Sequence, residues 1–296
     1  MNAIQIIGAI EFGLVYAFVA IGVYITLRIL DFPDLGVDGT FPLGAATCAV
    51  LLVNGINPIW AILSAVILGG LAGLVTSWLS THLRFLNLFS GILVMTALYS
   101  INLKIMGRPN IPLLGEKTFF EVFCLPFKEI SPQFWRSIPV LGLLLVILFL
   151  LNRFLKTDIG LALRATGNNA RMARSQGIND KFMVGLGLVV SNGLVALGGA
   201  LYAQLSGFAD ITLGVGTLIL GLSAVIIGEA IMPIRSIKHA IIACVLGALI
   251  NRFIIAAALN IGGAFLLASD LNLVTATLLG FAMLVPDIKK KLGKNT

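Results

Sequence analysis

Charged residues are scarce in this sequence, and their scarcity argues against a water-soluble fold. Of the 296 residues, only 11% are charged and 58% are hydrophobic, whereas soluble domains carry about 25% charged and about 45–50% apolar residues. The mean hydropathy is +1.04. Too few polar side chains remain to cover a surface that faces water, so the composition predicts an integral membrane protein with several spans.

Cysteine and histidine are also rare, and the motifs of common enzymes are missing. Cys48, Cys124 and Cys244 lie far apart and form no CxxC pair, so we expect neither a disulfide framework nor a metal site. His82 and His239 lack the HExxH spacing of a zinc site. The sequence contains no GxSxG elbow and no GxxxxGK[ST] phosphate loop. We therefore expect no catalytic residues and no cofactor bound by this chain.

Long, nearly continuous apolar runs are what the sequence has instead, and they mark the spans. The second run follows the polar string DFPDLGVDGT and is too short to cross alone, which predicts a broken or re-entrant element. A spanning helix needs about 20 apolar residues, so we predict an all-α polytopic protein of roughly eight to ten helices in one domain, 1–296. The N-terminus has no basic n-region, and we interpret it as the first span rather than a signal peptide. The runs are 4–27, 41–54, 58–80, 86–106, 137–155, 182–205, 211–228, 237–258 and 271–286.

The distribution of basic residues predicts the orientation in the membrane. With nine crossings, one side collects fourteen of the twenty Lys and Arg residues, and the positive-inside rule makes that side the cytoplasm. The C-terminus is then inside the plasma (inner) membrane, the N-terminus is outside, and residues 107–136 form the longest external loop. The basic segments on the cytoplasmic side are Arg28, Arg84, the connection 153–181, Arg235 with Lys238, and the tail 287–296.

A polar connection, residues 156–180, joins the fifth and sixth runs. It predicts two short helical pieces broken at Gly167, with Asn168 or Asn169 capping the second, since Asn side chains accept the free amides of a helix start. Gly177 would end that piece. Two interpretations stay open: a solvated basic loop, or a helix that lies on the membrane surface and docks in a partner's groove. The apolar positions alternate with Arg164, Arg171 and Arg174.

This connection resembles the cytoplasmic loop of ABC importer permeases in the branched-chain amino acid and ribose permease superfamily. That loop reads approximately Arg-Ala-x-Gly-x-Asn-x-x-x-Ala-x-x-x-Gly-Ile. The string DFPDLGVDGTFPLGAA is similar to a subgroup labelled as tryptophan/tyrosine permeases, and the resemblance covers most of the chain. The residues that match the loop pattern are Arg164, Ala165, Gly167, Asn169, Ala173, Gly177 and Ile178.

The resemblance implies a permease subunit that imports a small solute, an amino acid and in the subgroup an aromatic one. Two permease copies would form the pathway, with a homodimer as the default. Separate ATPase subunits would dock on the loop and hydrolyse ATP, and an extracytoplasmic binding protein would deliver the solute. The residues implied to couple to the ATPase are Arg164, Gly167, Asn168, Asn169, Arg171, Ala173 and Gly177.

The polar break between the first two runs holds three acids, Asp31, Asp34 and Asp38, followed by Thr40. One interpretation is an ordinary interfacial turn, because Asp-Gly and Pro are common turn formers. The other is a discontinuous helix that lines the pathway, since irregular backbone at membrane depth persists only where it is buried or lines a cavity. In that case a helix start near Thr40 would point its free amides at a ligand. The resemblance places a comparable break near the translocation region.

Polar side chains inside the apolar runs are further candidates, since an ionisable residue in a span is costly and often functional. Arg252 would lie in the outer half of the eighth span. It would either pair with Asp210 or Asp270 or bind the carboxylate of a passing amino acid. We predict that the pathway is lined by Asp34, Asp38, Thr40, Asn192 and Arg252. The other polar residues in the runs are Glu11, Gln204, Glu229 and Asn251.

The alternative function is a secondary transporter coupled to ions or protons. In that hypothesis Glu11, Glu229 and Arg252 would form the coupling relay. A membrane scaffold or a membrane enzyme is the third class. The net charge of +7 resides in the membrane-flanking segments, so we expect contact with the lipid bilayer and no nucleic-acid partner.

Overall fold

The computed structural model describes residues 3–124, 132–233 and 236–261, together with Thr277 and Gly280. The described residues form helices almost throughout, with one two-stranded ladder. The helices are α1 (Ala3–Tyr24), α2 (Val37–Val53), α3 (Pro58–Thr81), α4 (Asn87–Met106), α5 (Phe119–Cys124), α6 (Pro132–Phe154), α7 (Asp158–Asn168), α8 (Ala170–Ser175), α9 (Asp180–Ser206), α10 (Thr217–Ile231) and α11 (Ile237–Ile261). The strands are β1 (Asn110–Pro112) and β2 (Phe208–Asp210), which pair antiparallel.

The helices confirm the all-α membrane fold predicted from the apolar runs. Seven described helices are long and apolar enough to cross a membrane, and α2 is a shorter apolar helix of 17 residues. These eight helices correspond to the first eight predicted runs. The ninth run, 271–286, and the tail, 287–296, fall almost wholly outside the described residues.

Three predicted boundaries are wrong. Helix α2 begins at Val37, not at 41, and so includes most of the second half of the polar string. Helix α6 begins at Pro132, which shortens the connection predicted at 107–136. The seventh run is divided, because a 3-10 turn (Ile211–Gly214) precedes α10.

Helices α1 and α9 form the centre of the bundle, and α6 lies at its edge. In the apolar part of α1 and of α9, 72% of the residues are buried, against 17% in α6. Helices α2 and α9 cross with their backbones in close contact. A Cβ at Gly44 would overlap the Ala196 carbonyl, and one at Gly199 would overlap the Phe41 carbonyl. Small residues allow this backbone approach, which is how helices associate in lipid.

Two helices, α2 and α10, begin inside the bundle. Thr40 in the first turn of α2 contacts Asn192, which lies halfway along α9. Asp38 of the same turn accepts a hydrogen bond from the Leu218 amide at the start of α10. The two N-termini therefore meet at mid-depth, as in transporters with discontinuous helices.

Pro42 explains why the 3-10 turn before α10 packs so closely against the first turns of α2. A proline inside a helix donates no hydrogen bond to the carbonyl four residues earlier, which here belongs to Asp38. Gly214 packs directly against that carbonyl and against the Pro42 ring, and a Cβ at Gly214 would overlap the Asp38 oxygen. The turn before α10 thus fits into the groove that Pro42 leaves.

The bundle has two distinct ends. Helices α7 and α8 lie at one end, which we call the coupling-loop end. The β1–β2 ladder lies at the other, which we call the opposite end. There the Leu113 amide donates to the Gly207 carbonyl at 2.8 Å, and the Phe119 amide donates to Gln204 Oε1 at 2.7 Å. These bonds attach the described part of the connection 107–131 to the end of α9.

Candidate functional site

The connection 156–180, which we call the coupling loop, consists of two short helices, as the sequence predicts. The helices are separated at Asn169 and not at Gly167. Asn169 ends α7 and caps α8, since its Oδ1 accepts the Arg171 and Met172 amides at 3.1 Å each. The predicted cap is therefore confirmed. Gly177 has a left-handed backbone with φ of 81° and terminates α8 as predicted, with the Ile178 amide bonded to the Ala173 carbonyl.

One face of this loop packs on the bundle and the other is open. Leu163 and Ala173 are buried, and Gly167 lies against the Ile29 carbonyl so closely that a Cβ would overlap it. Ile29 belongs to a π-helical segment, Ile25–Ile29, that extends α1, and π-helical turns are frequent at functional sites. The open face combines apolar and basic side chains: Leu161, Arg164, Asn168, Arg171 and Met172, the last 63% exposed.

Three of the predicted pathway residues meet in one buried network. Asp34 Oδ2 accepts Asn192 Nδ2 at 2.8 Å, and Asp34 Oδ1 accepts the Gly36 amide at 2.8 Å. The Thr40 hydroxyl lies 2.8 Å from Asn192 Oδ1. Asp34, Thr40 and Asn192 are almost completely buried. The network ties the polar break to the middle of α9 and satisfies the polar groups that lipid or protein would otherwise penalise.

The helix starts at the break do not offer free amides to a ligand, so that expectation is wrong. Helix α2 begins at Val37, and the amides of Asp38, Gly39 and Thr40 already bond to the Leu35 and Gly36 carbonyls. At the start of α10, Asp38 Oδ1 holds the Leu218 amide at 2.7 Å. A carboxylate is stabilised at a helix N-terminus, and Asp38 remains partly exposed there.

Arg252 lies against aromatic rings rather than against Asp210. Its guanidinium carbon is 3.8 Å from the centre of the Tyr16 ring and 5.9 Å from that of Phe12, and its Nε has no hydrogen-bond partner in the described part of the chain. Asp210 instead binds Asn110 and Thr212. Partial burial raises the pKa of Asp210, but the hydrogen bonds from Thr212 and Asn110 hold it below its ordinary value. Asp270 lies outside the described residues.

The rings beside Arg252 belong to an aromatic cluster that the sequence did not reveal. Ring centres are 5.3–6.0 Å apart within it, which is the usual range for attractive aromatic pairs. Three helices, α1, α2 and α9, contribute to it, and Arg252 adds α11. The cluster consists of Phe12, Tyr16, Phe41 and Tyr202.

The ionisable groups of the alternative relay are separated. Glu229, near the end of α10, forms an ion pair with Arg28 at the coupling-loop end. Glu11 is buried and faces Ser137 of α6, while Arg252 lies over Tyr16. Among the described residues these three groups form no continuous chain of hydrogen bonds, as a proton relay would need.

The remaining polar residues of the spans tie helices together. Gln204 contacts the Cys48 thiol and the Phe119 amide, and Asn251 donates to the Ser223 hydroxyl at 2.8 Å. Cys48 and Cys244 are buried, free thiols. The described residues contain no group of three His, Cys, Asp or Glu side chains that could hold a metal ion. What the site offers is an internal polar break, a stacked cation and an exposed apolar and basic surface at one end.

A helical bundle with discontinuous inner helices and paired surface helices at one end is the architecture of a membrane transport permease. The fold is similar to that of one chain in the solved structure of PsaBC from Streptococcus pneumoniae in complex with Fab. The match has a TM-score of 0.52 and 18% identity, and it covers 94% of this chain and 89% of that one.

Sequence comparison then shows the family. The profile described as branched-chain amino acid transport system / permease component matches residues 5–285. The tyrosine transport system permease protein of Clostridioides difficile is 43% identical over 271 residues, 92% of this chain and 88% of its own. An uncharacterized protein of Rickettsia prowazekii is 37% identical, over 87% of this chain and 90% of its own. The chain belongs to the branched-chain amino acid permease family of ABC transporters, whose members are transporters and not enzymes.

Proposed function

We propose that this chain is the membrane-spanning subunit of an ATP-driven importer for an amino acid, with an aromatic amino acid as the substrate. The geometry of the coupling loop carries the proposal. Helices α7 and α8 present an exposed apolar and basic face, while Gly167 sits on the end of α1. A partner that moves these helices moves the inner helices with them. The identity to a tyrosine transport permease supports the substrate class.

The partners follow from the same proposal. A separate ATPase docks on α7 and α8 and hydrolyses ATP, because the sequence has no phosphate loop of its own. An extracytoplasmic binding protein delivers the solute to the opposite end of the bundle. A second copy of this chain completes the pathway as a homodimer, and the chain binds no cofactor itself.

The proposed importer can be tested through its ATPase. In a reconstituted complex of this chain, its ATPase and its binding protein, we expect the loaded binding protein to raise the rate of ATP hydrolysis. The tyrosine-loaded protein should stimulate more than the empty one. A rate of ATP hydrolysis that depends on neither the binding protein nor the amino acid would contradict an importer.

The proposed orientation places the coupling-loop end in the cytoplasm and α5 outside, as the distribution of Lys and Arg predicts. After replacement of Cys124, a cysteine at Glu121, which is exposed, should react with an impermeant thiol reagent in whole cells. A cysteine at Lys290 should react only after the membrane is permeabilised. The reverse pattern of labelling would invert the orientation.

We also propose that the solute passes Arg252 and Asp38, which are partly exposed. Asp34, Thr40 and Asn192 lie behind them and fix the polar break. The Tyr16 ring stabilises the cation, and Arg252 as a whole remains partly exposed, so its planar guanidinium can bind a carboxylate. The neighbouring aromatic rings offer a surface for an aromatic side chain.

Arg252→Ala should lower the rate of uptake about tenfold or more, because a charge-assisted hydrogen bond contributes about 1.5–3 kcal/mol. Arg252→Lys keeps the charge but loses the planar fork, so we expect an intermediate rate. The measurement is uptake normalised to the assembled complex, with the binding protein's own affinity unchanged. If Arg252→Ala only lowers the yield, and the complex that does assemble transports at the normal rate, Arg252 is structural.

A further inference from the structure

A cavity of about 410 Å³ opens beside the coupling loop. Its walls come from four separate parts of the chain: the polar break, the adjoining ends of α3 and α4, the junction of α7 with α8, and the start of α9. No sequence motif joins these parts. The break residues on its wall are Leu30, Asp31 and Phe32, and the junction residues are Thr166, Gly167, Asn168, Asn169 and Ala170.

The cavity carries one negative charge that no described residue neutralises. In the part of the chain that the structure describes, its ionisable lining residues are Asp31 and Asp180. Asp180 is paired with Arg174 at 3.4 Å, whereas Asp31 is exposed and makes no hydrogen bond or ion pair with the described residues. The rest of the wall is neutral, and its amides and hydroxyls offer further hydrogen bonds: Ser80, Thr81, Asn87, Asn168 and Asn169.

This negative cavity lies in a basic surface. The exposed face of the neighbouring helices carries Arg164 and Arg171, so a cation gains attraction in the cavity and meets repulsion around it. A partner that binds this end of the bundle is therefore oriented by a basic group placed at one position. Such charge complementarity determines register and specificity more than overall affinity.

The lining also discriminates between a basic side chain and a free amino acid. A free amino acid would bring a carboxylate into the cavity together with its ammonium. Among the described residues, no Lys, Arg or His lines the cavity to receive that carboxylate, and an unpaired charge taken from water is costly. A Lys or Arg side chain of another protein brings the cation alone, and Asp31 with the asparagine oxygens matches its donors.

We propose that this cavity receives a basic side chain of the partner ATPase, with Asp31 as its counter-ion. The inference rests on the proposed function, in which an ATPase docks on α7 and α8. The side chain touches the junction capped by Asn169 and the segment that leads into α2 at the same time. Asp31 thereby links the ATPase to the polar break directly, in addition to the link through Gly167.

Asp31→Asn is a suitable variant, because Asp31 has a left-handed backbone with φ of 53°. Asn adopts this conformation readily, so the substitution removes the charge without adding strain. Glu121→Gln is the control. Glu121 is also an exposed acid, but it lies on α5 at the opposite end of the bundle and does not line the cavity.

The experiment measures binding of the purified ATPase to the full-length permease in nanodiscs, at low and at high salt. Asp31→Asn should weaken binding about tenfold at low salt, with a smaller difference at high salt because screening weakens the charge attraction. Glu121→Gln should bind as the wild type does. Asp31→Arg should bind more weakly still, and a Lys→Asp or Arg→Asp change in the ATPase should restore its binding.

Two results would overturn the inference. Asp31→Asn could bind the ATPase as tightly as the wild type at both salt concentrations. Alternatively, it could leave that affinity unchanged but remove an inhibition by free tyrosine on the ATPase side, which would make the amino acid the occupant. If the wild-type permease itself binds no ATPase, the proposed function fails first, and the inference fails with it.

Discussion

Arg171→Glu should abolish ATP-driven uptake while the subunit still inserts and folds. Arg171 is exposed on α8, and its side chain makes no hydrogen bond or ion pair with the described residues. Its reversal therefore leaves the fold unchanged but places a negative charge on the proposed docking surface. Like charges across an interface cost several kcal/mol, and each 1.4 kcal/mol is about a factor of ten, so uptake per assembled subunit should fall about a hundredfold or more.

The matched control for this variant is Arg153→Glu. Arg153 is exposed at the end of α6, outside α7 and α8, and its reversal should leave uptake nearly normal. Asn169→Glu should lower uptake as well, because it places a negative charge on the same surface and, in addition, removes the cap of α8. Asn169→Asp keeps a capping oxygen. Full ATP-driven uptake by Arg171→Glu and Asn169→Glu would show that the ATPase docks elsewhere.

Asp34→Ala should destabilise the protein more than any other change in the polar break. It leaves one N–H of the Asn192 side chain and the Gly36 amide without their acceptor in a buried site, while the other Asn192 N–H keeps its bond to the Leu188 carbonyl. Each unsatisfied group costs about 1–3 kcal/mol. We expect a lower unfolding temperature in detergent and a lower yield of membrane-inserted protein, and Asp34→Asn should lie between this variant and the wild type.

The comparison that isolates the network is Asp31→Asn. Asp31 lies three residues earlier in the same string but is exposed and unpaired in the described structure. The unfolding temperature of the Asp31→Asn protein should therefore equal that of the wild type. An Asp34→Ala protein with normal yield and unfolding temperature but no transport would contradict the structural role. Asp34 would then act in the pathway itself.

The coupling loop could be predicted because its signals are local. A capping Asn, a left-handed Gly and alternating arginines act within a few residues of one another, and the cap at Asn169 and the end at Gly177 are both confirmed. The junction between the two helices was predicted two residues too early, at Gly167, since glycine suggests an interruption. Gly167 instead lies within α7, where it allows close contact with the Ile29 carbonyl.

The polar break could not be read from the sequence, because its partners are distant. Asp34 and Asn192 are 158 residues apart, and Asp38 and Leu218 are 180 apart. The apolar pattern therefore showed an interruption but not which groups satisfy it. The apolar run also placed the helix start at 41, whereas α2 begins at Val37 and continues through Pro42.

The environment of Arg252 shows a further limit of sequence reasoning. An arginine in a span suggests a carboxylate partner, and Asp210 was a candidate by depth alone. The structure places aromatic rings of α1 there instead. The aromatic residues of the cluster are spread from Phe12 to Tyr202, and nothing in their spacing indicates that they converge. Such contacts depend on helix packing angles, which a hydropathy pattern does not contain.

The central claim is that ATP hydrolysis by a partner drives uptake through this chain. The most direct measurement is uptake of labelled tyrosine by proteoliposomes that contain the chain, its ATPase and its binding protein. We predict accumulation that requires ATP on the ATPase side, resists a proton ionophore and is lost with Arg171→Glu. Accumulation that is driven by an imposed proton gradient without ATP would contradict the claim and favour a secondary transporter.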